Sequence, residues 1–285
     1  MSAAPGSAAR LRIGVFDSGV GGLTVLRALR AVLPDADFLY LGDTARLPYG
    51  TKSPETVERY ALQAAAVLVD RGVDALVVAC NTASSVAVEA LSARWPGLPV
   101  VGVVEPGARA AADATVCGEV AVVATESTVR GGAYQRALAR LRPEVRVRAR
   151  ACSVLVALAE EGWTRGAVAE AAAHAYLDDW FAPGAGAARP DTLVLGCTHF
   201  PMLVDTLRAV VGPGVTLVDS ATTTAAALCE RLDRTPAAPD TPPSGSLKLL
   251  ATDGPERFAA VGSRFLGEAL RPGQLELVDL SAQGP

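Results

Sequence analysis

Two stretches of this chain carry thiols in matching settings. Asp74-Ala75-Leu76-Val77-Val78-Ala79-Cys80-Asn81-Thr82 and Asp191-Thr192-Leu193-Val194-Leu195-Gly196-Cys197-Thr198-His199 each open on an Asp and continue through a short apolar run. Each then ends on a small residue, a Cys and two hydrogen-bonding residues. The runs are too short for typical helices and read as buried parallel strands. In open α/β sheets ligands bind beyond the carboxyl ends of strands, so each copy delivers a thiol to a functional edge. A helix start behind each Cys supplies amides and a dipole that stabilise thiolate. Two such weak acids on opposite faces of one substrate can move a proton at carbon. The thiolate takes it from one face and the thiol returns one to the other, which is what cofactor-free racemisation needs. A Cys–His hydrolase needs one Cys and leaves the second copy unexplained.

His199 stands two residues past Cys197, close enough to exchange a proton with it or to orient it. The other histidine, His174, lies in an Ala-rich helical stretch and reads as structural. No spacing of His and Cys resembles a zinc site. Racemisation through pyridoxal phosphate needs a Schiff-base lysine. The chain has Lys52, outside any strand edge, and Lys248, behind a Pro-rich loop. No cofactor is therefore expected, although Lys52 alone leaves the pyridoxal route open. Cys117, Cys152 and Cys229 are expected to be small buried hydrophobes.

The elements that position these residues alternate strand and helix. Leu11 to Phe16 reads as a strand, Asp17-Ser18-Gly19-Val20-Gly21-Gly22 as a turn, and Leu23 onward as a helix. That geometry can cradle an anion on helix N-terminal amides, or its glycines can simply allow close packing. It matches neither dinucleotide nor P-loop spacing. After a strand over 37–41, the long loop from Gly42 to Lys52 lies where functional loops lie. Ser53-Pro54 starts a helix, strand 99–103 follows the first Cys motif, and Glu105-Pro106-Gly107 punctuates the chain.

There the pattern restarts. Val120 to Thr125 matches Ile13 to Ser18, and Gln135 to Leu138 matches Leu26 to Leu29. With the paired Cys strands, this points to an internal duplication with one Cys per half. Asp219-Ser220 offers a helix cap, 235–246 reads as a flexible surface loop, and the tail holds strand, helix and strand. The expected architecture is α/β: two pseudo-symmetric doubly wound domains with mostly parallel sheets and the active site in the cleft between them. The first domain spans 11–104 plus 219–285, split and closed by the C-terminal segment. The second spans 105–218, and residues 1–10 are expected to be a disordered N-terminus.

Bulk properties agree with this and exclude other classes. A chain of 285 residues suits two domains. A net charge of −4 and a pI of about 5.3 lack the basic footprint of nucleic-acid binders. Five scattered cysteines without a C-x-x-C pair indicate free thiols in a reducing compartment. No signal-peptide pattern and no apolar run of membrane-span length occurs. A cytoplasmic protein is expected, without membrane or nucleic-acid partners.

Taken together, Phe16-Asp17-Ser18-Gly19-Val20-Gly21-Gly22-Leu23-Thr24, Asp43-Thr44-Ala45-Arg46-Leu47-Pro48-Tyr49-Gly50, Ala79-Cys80-Asn81-Thr82-Ala83-Ser84, Gly102-Val103-Val104-Glu105-Pro106-Gly107-Ala108, Gly196-Cys197-Thr198-His199-Phe200-Pro201 and Val218-Asp219-Ser220 carry a resemblance. The chain resembles the glutamate racemases of the cofactor-independent aspartate/glutamate racemase superfamily, in motif order from residue 13 to about 225. The resemblance implies interconversion of L- and D-glutamate, with D-glutamate going to peptidoglycan. It implies Cys80 and Cys197 as the acid/base pair, Asp17 assisting Cys80, His199 assisting Cys197, and Glu160 lining the second half of the site. Asp17, Ser18, Tyr49, Gly50, Asn81, Thr82, Thr198 and His199 match substrate-binding positions. It also implies a homodimer, and some members respond to a peptidoglycan precursor.

Ser153 and Ala157 stand where the family usually shows Pro, Gly131 where Ser is common, and Phe200 where Tyr is common. These departures leave either Glu160 or its neighbour Glu161 to line the site. The competing readings are an aspartate racemase or related isomerase, and a catalytically silent module that binds a ligand or, as some family members do, inhibits DNA gyrase. Asp17, Ser18, Asn81 and Thr82 can also be plain helix-start residues.

Overall fold

The computed structural model describes residues 10–182, 184 and 189–280. The expected disordered segment over residues 1–10 falls, apart from Arg10, outside the described residues. So does most of the linker over 185–190.

The described residues form strands β1 (Arg12–Asp17), β2 (Asp37–Gly42), β3 (Ala75–Val78), β4 (Val100–Gly102), β5 (Glu119–Ala124), β6 (Arg146–Ala151), β7 (Thr192–Gly196), β8 (Thr216–Asp219), β9 (Leu247–Ala251) and β10 (Leu275–Leu277). The helices are α1 (Leu23–Val32), α2 (Pro54–Val69), α3 (Asn81–Arg94), α4 (Val104–Ala114), α5 (Glu126–Gly131), α6 (Ala133–Leu141), α7 (Ser153–Glu161), α8 (Ala167–Phe181), α9 (Val204–Val211), α10 (Ser220–Arg231) and α11 (Pro255–Leu266).

All strand pairs are parallel, in two sheets of order β10-β9-β2-β1-β3-β4 and β6-β5-β7-β8. Strip β9 and β10 from the first sheet and the two orders are the same. β1 lies between β2 and β3 as β5 lies between β6 and β7. The two Cys strands, β3 and β7, are thus equivalent. The C-terminal strands join the first sheet because β9 pairs with β2, Tyr40 against Leu249.

The central strands β1, β3, β5 and β7 are almost wholly buried. Helices cover both of their faces, which is why their sequences run apolar without alternation. β6 is an edge strand, and its Arg146, Arg148 and Arg150 keep that edge charged. Two apolar clusters pack the first sheet and a third packs the face of the second that α4 and α6 cover. The largest cluster continues from Leu23 and Leu26 on α1 to Leu195, Phe200 and Leu228 in the later part of the chain. α10 packs on both α1 and α4, tying the two sheets together.

Local signals mostly match the elements. Ser53 Oγ accepts the Thr56 amide at 3.3 Å to cap α2, and Asp219 Oδ1 accepts the Ala221 and Thr222 amides at 2.9 Å to cap α10. Glu105-Pro106-Gly107 differs from expectation. It is the first turn of α4 rather than a break, because the missing proline N–H falls where a helix has no partner for one. The last helix ends at Leu266, with Gly267 taking the left-handed conformation at φ +82° behind it. Asp17 does not cap α1; Gly22 holds that position without a side-chain bond.

Candidate active site

Cys80 follows β3 and occupies the N-cap position of α3, while Cys197 follows β7 just before a 3-10 turn over Phe200–Leu203. Each is only 5% exposed, which keeps bulk water from both sulfurs. The carboxyl ends of both sheets meet here. Thr24, at the start of α1, donates its hydroxyl to Gly21 O at 2.9 Å and to Thr198 O at 3.0 Å. A Cβ on Gly21 would stand 2.3 Å from Thr198 Oγ1 and 2.5 Å from the His199 ring, so only glycine lets the turn after β1 reach the turn after β7. Close packing is thus one job of this glycine-rich turn.

Cys80 faces the first sheet's own residues. Its Sγ lies 3.6 Å from Ser18 Oγ. Burial first, and then the negative charge of Asp17, push the thiol up to about 12, against the Ala83 amide and Ser18, which pull it down. The helix-start amide of Ala83 acts in the expected direction, but burial and a neighbouring carboxylate outweigh it. Asp17 is itself buried, and desolvation raises its carboxyl despite the His199 charge and the amides of Gly19, Gly22 and Ser18. Oδ2 accepts the Gly19 amide at 2.9 Å, whereas Oδ1 is buried without a hydrogen-bond partner.

Cys197 has a cationic neighbourhood. Its Sγ is 3.7 Å from His199 Nδ1, and His199 Nε2 is 3.2 Å from Glu160 Oε1. The imidazole also lies edge-on to Phe265 at 5.1 Å. Burial works against a charged ring, but the hydrogen bonds to Cys197 and Glu160 win and hold His199 at about 10. The hydrogen bond from His199 in turn holds the Glu160 carboxyl below its ordinary range. It is Glu160 that reaches the histidine; Glu161 is exposed.

The remaining expected residues line the seam between the sheets. Asn81 Nδ2 donates to Tyr134 Oη at 2.8 Å and to Ser220 Oγ at 3.2 Å. Thr82 Oγ1 lies 2.9 Å from Thr125 Oγ1 and 3.4 Å from Thr128 Oγ1. Thr198 Oγ1 is 3.5 Å from His199 Nδ1. Tyr49 is buried and turns its hydroxyl to Asp43, so the Tyr49-Gly50 pair offers backbone rather than phenol to the cleft. A Cβ on Gly50 would be 2.9 Å from Thr125 Cβ, another close approach that requires glycine.

Tyr134, Thr125, Thr128 and Arg257 reach these residues without having been singled out in the sequence. Only Thr125 had a signal, as the counterpart of Ser18 in the repeat. Of the other thiols, Cys152 and Cys229 are buried as expected, and burial pushes Cys152 up to about 12. Cys117 is exposed, contrary to expectation, because it sits in the turn between α4 and β5 with its amide bonded to Asp191 Oδ2. His174 is exposed and pairs with Asp178 Oδ1 at 2.7 Å. Among the described residues no group of three or more His, Cys, Asp and Glu could hold a metal ion, and no helix is long and apolar enough to cross a membrane.

Two thiols at equivalent strand ends, one beside a carboxylate and one beside an imidazole, are what the family comparison must explain. The sequence model of the Asp/Glu/hydantoin racemase family matches residues 23–228. The chain belongs to this family. It is an isomerase of the racemase type. A glutamate racemase of Geobacter metallireducens is 50% identical over 95% of this chain and 97% of its own length. Among solved structures, a glutamate racemase from Thermus thermophilus in complex with beta-chloro-D-alanine is 42% identical. It superposes with a TM-score of 0.82 over 96% of this chain and 99% of its own. One from Francisella tularensis in complex with D-glutamate is 32% identical, with a TM-score of 0.83 over 96% and 99% of the two chains. A Picrophilus torridus aspartate racemase, 14% identical with a TM-score of 0.55, shares the fold alone.

Proposed function

We propose that this family member is a glutamate racemase that interconverts L- and D-glutamate by a two-thiol mechanism without a cofactor. The observation that carries the reading is the pair of buried cysteines at equivalent strand ends with unlike partners. Glutamate lies between the sulfurs in this proposal. One sulfur, as thiolate, takes the α-proton, the carbon's electron pair delocalises into the adjoining carboxyl group, and the other thiol delivers its proton to the opposite face. The bond to hydrogen breaks on one side and re-forms on the other, so sulfur charge moves from one cysteine to the other and no net electrons are exchanged.

In this scheme Asp17 and His199 are the charged assistants of Cys80 and Cys197, with Glu160 behind His199. The buried Asp17 Oδ1, lacking a protein partner, suits the substrate ammonium. Ser18, the Tyr49 and Gly50 backbone, Asn81, Thr82, Thr198 and the helix-start amides suit its carboxylates.

The two sheets serve as two domains, 11–104 with 219–285 and 105–218, closing on the substrate. Supply of D-glutamate for peptidoglycan, a cytoplasmic homodimer and a response to a peptidoglycan precursor complete the proposal. Sedimentation and assays with a uridine-linked precursor test the last two.

The deciding experiment is proton NMR of the purified protein with L-glutamate in deuterated water, without pyridoxal phosphate. Loss of the α-proton signal with appearance of D-glutamate, absent in a Cys80→Ala/Cys197→Ala double variant, is the expected result. Exchange with aspartate but not glutamate would move the substrate assignment, and exchange with neither would leave a binding module.

A further inference from the structure

The Cys197 side of the site is held from a part of the chain outside the paired motifs. Glu160 is the last link on the second sheet's side: its Oε1 meets His199 and its Oε2 meets Arg257 Nη2 at 2.9 Å. Arg257 lies in the first turn of α11, which follows β9 of the first sheet. A cation in the first turn of a helix opposes the helix dipole, and here it pairs with Glu160. Seven residues on, along the same helix face, Arg264 Nη2 donates to the carbonyl of Glu160 itself, an orphan at the carboxyl end of α7. One helix of the first lobe therefore grips both the carboxylate and the backbone of the residue that orients His199.

The start of α11 is in turn tied to the loop that carries Tyr49 and Gly50. Thr44 Oγ1 accepts the Asp253 amide at 2.9 Å, and Thr252 Oγ1 accepts the Ala45 amide at 2.8 Å. The groups facing His199 are Cys197 and Thr198 on its own turn, Glu160 from α7, Asp17 at the end of β1 and the ring of Phe265 from α11. Arg257 and Arg264 face Glu160 from behind.

We infer that Arg257 is a positioning residue for the second acid/base: its guanidinium holds the Glu160 carboxylate aimed at His199, so that the helix closing the first lobe sets proton transfer at Cys197 and not at Cys80. This rests on the two-thiol racemase reading for its kinetic consequence, but not for the electrostatic link itself. Arg257 is largely exposed, its side chain retaining 67% of its accessible surface, so replacing it does not hollow the core.

The test compares full-length parent protein with Arg257→Gln, alone and combined with Glu160→Gln. kcat/KM should fall about fivefold, the scale of one partly exposed charge pair. The fall is equal for L- and D-glutamate because the enantiomers have equal free energy. The primary isotope effect with α-deuterated substrate should rise for the enantiomer that Cys197 deprotonates and fall for the other; a general loosening would move both alike. In the Glu160→Gln background the Arg257 change should add nothing.

The second readout needs no activity. The His199 imidazole resonance, one of two histidines in the chain, should titrate at lower pH in Arg257→Gln than in the parent, because a Glu160 released by Arg257 swings away from His199 Nε2 and its loss outweighs the loss of the more distant cation. Parent-like kinetics and titration in Arg257→Gln, isotope effects that shift together, or an undiminished effect without Glu160 each overturn the inference. A lowered His199 titration in a protein that leaves glutamate untouched would instead retire the proposed substrate and keep the link.

Discussion

Cys80 and Cys197 occupy the same place in two copies of one design, yet their surroundings are opposites. Cys80 looks onto the turn of its own sheet, where a buried carboxylate and a hydroxyl wait. Cys197 looks onto an imidazole two residues away that the second sheet's Glu160 keeps charged. A duplicated fold would by itself give two like thiols. A reaction that takes a proton on one side and returns it on the other needs them unlike at any instant, one ready to hold a proton and one with a positive partner. Under the proposed two-thiol scheme the unlike neighbours would supply that difference before any substrate arrives, while the shared strand order puts the two cysteines at equivalent strand ends.

The sharpest way to break this comparison is to remove one sulfur. Cys80→Ala and Cys197→Ala are each expected to lower racemisation by about a thousandfold or more, since each removes an acid/base group outright. Polarimetry with L- and D-glutamate checks this. If either variant keeps substantial turnover in both directions, the two-sided scheme is wrong and a single-thiol route must replace it.

The assistants come next. His199→Asn and Asp17→Asn should each cost about a hundredfold in kcat/KM, with opposite isotope-effect signatures because they serve opposite faces. Their stability effects should also differ in sign. Asp17 is a buried carboxyl raised by desolvation, so once pH exceeds its ordinary range the folded state carries a penalty that the unfolded chain avoids. Asp17→Asn keeps an oxygen for the Gly19 amide and removes that penalty. Its melting temperature at neutral pH should rise by about 2–4 °C, for a gain on the order of 1 kcal/mol.

His199 is lifted from the ordinary imidazole value of about 6.5 to about 10, so its contribution is complete below about 6.5 and drains away as pH rises through 10. The melting-temperature gap between the parent and His199→Asn should therefore be widest in mild acid and narrow toward pH 10. A gap that widens with pH would refute the charge assignment at Cys197.

These contrasts were only partly legible in the sequence. The strands were, because buried parallel strands such as Leu76–Val78 and Leu193–Leu195 are short, apolar and bounded by Asp and Cys. The shared strand order was foreshadowed by the repeat, and the positions of Asp17, Cys80, Cys197 and His199 by their motifs. What escaped is what depends on distance across the cleft. Nothing near Tyr134 announces a hydrogen bond to Asn81, and Arg257 lies 97 residues from Glu160 in sequence. Electrostatic balance was equally hidden. A cysteine at a helix start suggests thiolate, but the burial that pushes Cys80 up to about 12 is a property of the packed whole. At Glu105-Pro106-Gly107 the opposite holds: a Pro-Gly pair signals a break by local rule, yet proline is tolerated in the first turn of a helix, where α4 places it.

The smallest expected effect tests how far the duplication persists in function. Thr125 follows β5 as Ser18 follows β1, yet its hydroxyl bonds Thr82 and Thr128 rather than Cys197. Its role in this structure is to join the seam between the lobes, whereas Ser18 lies against the Cys80 sulfur. Thr125→Val should therefore cost about 1 kcal/mol, the worth of one hydrogen bond, seen as a melting temperature lower by about 2–4 °C. Turnover should change by no more than about threefold, a fraction of the hundredfold scale expected for a group engaged in proton transfer. Ser18→Ala, by contrast, removes a hydrogen bond to Cys80 itself and should lower kcat more than it lowers the melting temperature. If Thr125→Val proves the more damaging to kcat, the second-half counterpart has kept a chemical role, and the two sides of the cleft are more alike than their neighbours imply.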